Sequence, residues 1–190
     1  MTRPLSLFTC VLALAALTTV GCQQPQAAME DRAKPERPVE LDRFDMFIGE
    51  WEFTTDSRPT DSEETSTGTG IDTYRWACDR RVMIDHWKGT HEHGSFEGLM
   101  IWTWDPPSRK YRVHAFYDSG AVGSATGTYD EESNRWRFKG KSKNPLTGET
   151  KVHEGVLTFR DADTVVFEGS AWDGWKLKKL TESKGELRRR

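Results

Sequence analysis

The sequence predicts an all-β domain in which about ten strands follow one another as a closed, antiparallel up-and-down β-barrel. From residue 49 onwards, short runs of β-branched and aromatic residues alternate with turn signals about every 10–15 residues. No second helical segment is long enough for a βαβ crossover, which argues against a parallel sheet. A flat meander of this size would expose two edges that invite aggregation, and closure into a barrel removes them.

A single short helix is expected at the start of the domain. Its apolar residues recur at a spacing that places them on one helical face: Leu41, Phe44, Phe47 and Ile48. The strands after it are expected at 49–56, 67–77, 81–90, 94–104, 109–117, 121–129, 134–142, 149–159, 163–171 and 174–181. Asp173-Gly174 is the dipeptide of a two-residue type I′ turn and would join the last two strands.

The pleat of the strands predicts which side chains share a face. Trp136 and Phe138 alternate with basic residues in one strand, and Tyr111 and Tyr117 belong to a second alternating set in another. The candidate wall of a ligand pocket is therefore Met100, Trp102, Trp104, Tyr111, Tyr117, Trp136 and Phe138. Such side chains either fill a barrel of this size or line a space for one small ligand, and both alternatives stay open.

The first 22 residues predict export from the cytoplasm. Arg3 precedes a short apolar run from Leu5 to Leu17, which suits a signal sequence better than a membrane span. The tetrapeptide Thr19-Val20-Gly21-Cys22 resembles the lipobox of bacterial lipoproteins, although those proteins prefer Leu, Val or Ile in place of Thr19. This resemblance implies lipidation of Cys22, and a secretory signal cut elsewhere is the alternative. Gln23, rather than Asp, indicates an outer-membrane anchor facing the periplasm.

The chain divides into a signal peptide at 1–21, a lipidated Cys with a disordered tether at 22–40, a barrel domain at 41–181 and a basic tail at 182–190. The domain itself retains one cysteine, Cys78, so it forms no internal disulfide, and this residue is expected to be small, buried and apolar. The net charge of −3 creates no strong field for nucleic acid, which we do not expect as a partner. The oligomeric state is left open.

The stretch from Phe44 to Trp51 carries a resemblance to known proteins. A short amphipathic helix running into Gly49-Glu50-Trp51 resembles the opening of lipocalin-like (calycin) barrels, whose Trp packs across the closed end. Residues 41–181 also resemble a bacterial family, domain of unknown function 1579, through Phe44, Gly49 and Trp51 and through Phe96-Glu97-Gly98 leading to Trp104-Asp105. The resemblance implies a barrel fold and no reaction.

Histidines and carboxylates are the remaining candidates for chemistry. His91 and His93 are weak metal candidates, because a strand places positions i and i+2 on one face but no third ligand can be named. Strand histidines are present at His86, His114 and His153, yet haem-binding barrels with the same opening place their ligand nearer the chain end. Carboxylates such as Asp85 lie in strands, but spacing alone cannot pair them across a lumen.

These observations favour a membrane-tethered, extracytoplasmic barrel that binds a small, partly apolar molecule without catalysis and without a cofactor. No nucleophile elbow, phosphate-binding loop, zinc-protease helix or CxxC pair motivates an enzyme. One alternative is a structural or partner-binding lipoprotein with a filled barrel. The other is a haem-binding or enzymatic barrel that uses a strand histidine.

Overall fold

A computed structural model describes residues 34–174 and 178–190. The predicted signal peptide, Cys22 and all but the end of the tether lie outside these residues. Among the described residues, no helix has the length and apolar character needed to cross a bilayer. The barrel unit is formed by Arg37–Arg190.

Ten antiparallel strands form the closed barrel that the sequence predicts. The first element of the described residues is a 3-10 helix, Val39–Met46. The strands are β1 (Gly49–Pro59), β2 (Ser66–Ala77), β3 (Val82–His91), β4 (Gly94–Asp105), β5 (Lys110–Tyr117), β6 (Val122–Asp130), β7 (Arg135–Lys143), β8 (Thr150–Phe159), β9 (Thr164–Asp173) and β10 (Lys179–Arg189). Each strand pairs with its neighbours in sequence, and β1 also pairs with β10 to close the ring. Because the ring is closed, none of these ten strands has an unpaired edge.

The end of the chain is a strand and not the expected basic tail. Strand β10 runs beside β1 from Thr181 opposite Pro59 to Arg189 opposite Trp51. The prediction of a tail at 182–190 was therefore wrong, because the hydrogen-bonding groups of β1 need a partner along their whole length. The basic residues at the end of this strand are paired, as Arg188 is with Glu186.

Two local predictions also fail. Asp173 lies in β9 and its N–H donates to the carbonyl of Lys178 (2.8 Å), so the β9–β10 connection is longer than a two-residue turn. Cys78 is exposed in the β2–β3 connection, where its φ of 50° begins a left-handed stretch that continues through Arg80. The turn geometry outweighs the tendency of a free cysteine to be buried.

The helix closes one end of the barrel, as its resemblance to calycin barrels implies. Phe44 and Phe47 are buried, and the indole N–H of the fully buried Trp51 donates to the carbonyl of Phe47 (2.7 Å). The Arg189 guanidinium lies 4.3 Å from the centre of the Trp51 ring system. Gly49 has φ of 134°, and a Cβ there would meet the Arg189 Nη1 at 2.9 Å, so only glycine suits this corner.

The same arginine ties the helix to the last strand. Arg189 donates to the carbonyls of Met46 (2.8 Å) and Ile48 (2.7 Å) while it covers Trp51. A residue predicted to lie in a solvated tail therefore holds the closed end together. The signal for this role was weak, because one arginine among three at the end of a chain has no distinguishing neighbour in sequence.

Candidate functional site

The barrel lumen contains a cavity of about 610 Å³. Its floor lies toward the helix-closed end, and its wall is formed by the inward-facing residues of all the strands. One side is bulky and aromatic. The other side, on β6 to β9, combines large residues such as Phe138 and Phe167 with small inward residues, among them Gly123, Ala125, Gly155 and Gly169. The cavity exists because these small residues leave space between the bulky ones.

Four of the seven predicted pocket residues line this cavity: Met100, Trp102, Tyr117 and Phe138. The other three, Trp104, Tyr111 and Trp136, pack beneath the helix at the closed end. Tyr111 donates to the carbonyl of Glu40 (3.0 Å), and its ring lies 4.6 Å from that of Trp136. The predicted set therefore contains both the plug of the barrel and the wall of the cavity.

Sequence reasoning missed much of the apolar wall. The additional apolar residues include Phe53, Trp87, Phe96, Val113, Leu157 and Phe167. Each of them alternates with polar or outward-facing neighbours in its strand, so the two-residue alternation was enough to predict that its side chain faces inward. What was missing was the register between strands, which decides which inward residues lie at the same height.

Two carboxyl groups are buried in the cavity wall. Asp72 on β2 is 8% exposed and Asp85 on β3 is 3% exposed. Asp72 Oδ2 accepts a hydrogen bond from the phenol of Tyr74 (2.7 Å), and Asp85 Oδ2 accepts one from the indole of Trp102 (3.1 Å). Tyr74 stands directly opposite Asp85 in the β2–β3 ladder, which places the two acids diagonally across the strands.

The environment of this pair favours its protonated form. Burial raises the pKa of Asp72, although hydrogen bonds from Asp85 and Tyr74 oppose the rise. Burial raises the pKa of Asp85 well above its ordinary value, and the charge of Asp72 and a hydrogen bond to it add to the effect. Burial and like charge therefore both favour a state in which the pair keeps at least one proton.

A second polar group lies on a different part of the wall. Ser142 on β7 and His153 on β8 are joined by a hydrogen bond between Oγ and Nε2 (2.7 Å), and both line the cavity. Burial lowers the pKa of His153, and the nearby Lys151 lowers it further, which keeps the imidazole neutral at pH 7. A neutral imidazole bonded to a hydroxyl offers a ligand a polar contact on a part of the wall away from the two acids.

The remaining histidines lie outside the cavity. His86 faces outward and pairs with Glu97 (2.7 Å), and His114 is exposed on β5. His91 and His93 flank the tip of the β3–β4 hairpin, where the Nδ1 of His91 accepts the backbone N–H of His93 (2.9 Å). Within residues 34–174 and 178–190, no group of three or more potential metal ligands comes together.

The fold and the sequence together identify the family. The family described as protein of unknown function (DUF1579) matches residues 40–182, which includes the helix and nearly all of the barrel. The chain belongs to this family. No protein with a curated description matches the DUF1579 chain in sequence.

Solved structures confirm the barrel architecture of this DUF1579 protein. It is similar to the S-type phycobiliprotein lyase CPES from Guillardia theta, with 12% identity, a TM-score of 0.56, and coverage of 81% of this chain and 94% of that one. It is also similar to Rv2717c from M. tuberculosis, with 10% identity, a TM-score of 0.63, and coverage of 82% and 99%. At these identities the likeness concerns the fold alone.

Proposed function

We propose that this barrel binds one small, partly apolar molecule in its lumen and catalyses no reaction. The observation that carries the proposal is the cavity of about 610 Å³, which falls within the usual size range of small-molecule sites. Its wall combines aromatic rings with a few polar groups, and this combination is typical of pockets that hold an apolar body and orient a polar end. Protein interiors are otherwise close-packed, so a space of this size indicates a use.

Two inward-facing glycines keep part of this space open. Gly155 on β8 and Gly169 on β9 lie directly opposite each other in the ladder. A Cβ built at either position would meet nothing closer than a backbone oxygen at 3.5 Å. Larger side chains would therefore extend into the cavity without displacing the strands, which provides a way to block the site while keeping the fold.

The test uses Nile red, a neutral apolar dye, titrated into the purified protein and followed by its fluorescence. We expect saturable binding at one site and at least a tenfold loss of affinity in Gly155→Leu, because the new side chain occupies the lumen. The matched control is Val166→Leu, which introduces the same residue at an outward-facing position of β9 and should change affinity less than twofold. Equal binding by wild type and Gly155→Leu would contradict the proposal.

The protein as purified should also be examined for a ligand that it already carries. Native mass spectrometry would reveal an excess mass that disappears on denaturation. An absorption spectrum distinguishes the alternative in which His153 ligates haem, since that imidazole faces the lumen. A Soret band would replace the proposed apolar ligand with haem.

We propose further that the barrel is anchored to the periplasmic face of the outer membrane through a lipid on Cys22. The support is the signal-like segment before this residue and its resemblance to a lipobox. Metabolic labelling with a radioactive fatty acid should mark the wild-type chain and not Cys22→Ser. A soluble, unlabelled wild-type protein in the periplasm would instead indicate an ordinary secretory signal.

A further inference from the structure

The carboxyl pair in the cavity wall has acceptor capacity that the protein does not use. Each acid has one oxygen bonded to a neighbouring side chain, Tyr74 for Asp72 and Trp102 for Asp85. The Oδ1 atoms of both acids are buried and accept no hydrogen bond from any donor in the described parts of the chain. Both acids are more than nine-tenths buried and both line the cavity, so a molecule that fills the cavity packs against these two side chains.

No cation in the described parts of the chain forms an ion pair with either acid. Among the described residues, neither Asp72 nor Asp85 forms an ion pair with Lys, Arg or His, whereas most exposed carboxylates of the barrel do. The charge of His86, which faces the outer side and is paired with Glu97, acts to lower the pKa of Asp72, but burial outweighs it. A buried carboxylate without a partner is costly, so acids retained in this state indicate a use beyond packing.

The other ionisable groups around the cavity do not supply that charge. Tyr74 is a neutral donor, since burial and the two acids raise the pKa of its phenol well above 10. Burial and the charge of Asp85 also raise the pKa of Tyr117. His153 is held neutral and bonded to Ser142. The remaining charged residues near the wall, Lys141, Glu154 and Glu168, occupy the outward-facing positions of their strands.

Aromatic rings surround the space next to the acids. Trp87 stands opposite Asp72 in the ladder and meets the ring of Tyr117 edge to face, with centroids 5.8 Å apart. Trp102, which bonds Asp85, meets Phe138 at 5.0 Å. Aromatic faces attract organic cations through their quadrupoles, and the attraction is strongest where water is excluded. Rings and unpaired carboxylates together form a site for positive charge on an apolar body.

We infer that Asp72 and Asp85 recognise the protonated nitrogen of an organic amine whose apolar part occupies the aromatic cavity. This inference rests on the proposed function and names the class of ligand that the same cavity takes. The ammonium group donates hydrogen bonds to the unused Oδ1 atoms and compensates the negative charge of the pair when it is ionised. Because it requires an ionised carboxylate, the amine binds more tightly as the pH rises and the pair loses its proton.

The test compares three ligands that share one ring system and differ in charge. They are the cation of 1-naphthylmethylamine, the neutral 1-naphthylmethanol and the carboxylate anion of 1-naphthaleneacetic acid, called the acetate below. Isothermal titration calorimetry on the purified protein at pH 8 should show the amine binding at least tenfold more tightly than the alcohol and the acetate. Between pH 5 and pH 8, where the amine stays protonated, its affinity should rise while that of the alcohol stays constant.

Variants assign this preference to the pair. Asp85→Asn and Asp72→Asn should each reduce the amine-over-alcohol preference by at least fivefold. Asp61→Asn, which changes an exposed carboxylate whose Oδ2 lies 3.9 Å from the Nζ of Lys178, should leave the preference unchanged. Circular dichroism and Nile red binding show whether each variant keeps the barrel and its cavity, so a variant that does not fold is recognised and the other one is used.

The outcomes separate this inference from the proposed function. If Nile red binds but the alcohol or the acetate binds as tightly as the amine, the inference is overturned and the ligand-binding barrel stands. A preference for the amine that survives in both Asn variants overturns it as well. If neither Nile red nor any of the three naphthyl compounds binds, the proposed function fails together with the inference.

Discussion

Gly140 and Gly155 are inward-facing glycines on the neighbouring strands β7 and β8, and replacing each with alanine should change stability in opposite directions. A Cβ at Gly155 would have a single neighbour within 4 Å, the carbonyl oxygen of Glu168 at 3.6 Å. A Cβ at Gly140 would lie 2.4 Å from the carbonyl oxygen of Ser124 and 2.6 Å from the Cβ of Ala125. Both positions line the cavity, but only the second is a close approach of two strands.

The magnitudes follow from these contacts. One buried methyl group in the cavity contributes about 0.8 kcal/mol, and replacing glycine in a strand removes unfolded-state freedom that contributes about 0.5–1 kcal/mol. Gly155→Ala should therefore stabilise the barrel by about 1–2 kcal/mol. Gly140→Ala must displace backbone atoms of β6, and overpacking of this kind costs about 1–3 kcal/mol. A difference of 1 kcal/mol shifts the melting temperature of a domain this size by about 2–4 °C.

The assay is urea unfolding of wild type and both variants, followed by circular dichroism, with the denaturant slope compared among the three proteins. We expect a higher midpoint for Gly155→Ala, a lower midpoint for Gly140→Ala, and unchanged slopes. The reasoning is refuted if both alanines move the midpoint in the same direction. A loss of stability in Gly155→Ala would mean that its wall is packed and that the lumen is smaller than about 610 Å³.

Three further predictions concern the acid pair, the closed end and the cavity wall. In differential scanning fluorimetry, Asp85→Asn should melt above wild type at pH 8, by a margin that shrinks toward pH 4. Because the pKa of Asp85 is raised in the folded state, its contribution to stability is complete below the unfolded-state pKa and is lost as the pH rises through the folded-state pKa. Arg189→Ala should lower the free energy of unfolding in urea by about 2–4 kcal/mol, because the charged hydrogen bonds of Arg189 to the carbonyls of Met46 and Ile48 disappear. Arg188, whose side chain is 75% exposed, is the control, and Arg188→Ala should lower it by less than about 0.5 kcal/mol. Trp87→Phe should weaken Nile red binding at least threefold, while Trp104→Phe at the closed end should leave it within twofold, and equal effects would contradict the assignment of these residues to different layers.

Most of the fold could be predicted because a barrel strand has a simple local code. An alternating face, a turn signal and a length of 8–12 residues recur ten times, and nine of the ten expected strands lie within three residues of their observed bounds. The tenth failed because its code is weak. From Lys179 to Arg189 it has only two large apolar residues, Leu180 and Leu187, and its pairing with β1 determines its length.

The candidate site was harder to predict because alternation reveals facing but not depth. Successive inward residues on one strand are about 7 Å apart, so Trp102 and Trp104 share a face yet belong to the cavity wall and the closed end. The depth of a residue along the barrel axis depends on the stagger of each strand against its neighbours, and stagger is a long-range property of the closed ring. Neither composition nor the two-residue alternation of a strand predicts this stagger.

The positions of the two buried acids can be inferred from the same alternation. Asp72 alternates with Tyr74 and Trp76, and Asp85 alternates with Met83 and Trp87, so each acid stands at an inward position of an otherwise apolar face. A charged residue that interrupts the buried phase of a strand, rather than its exposed phase, is costly unless something pairs with it. Two such interruptions on adjacent strands are therefore a signal for a polar site in a barrel lumen. The facing can be seen in sequence, and only the register that brings the two acids together requires the structure.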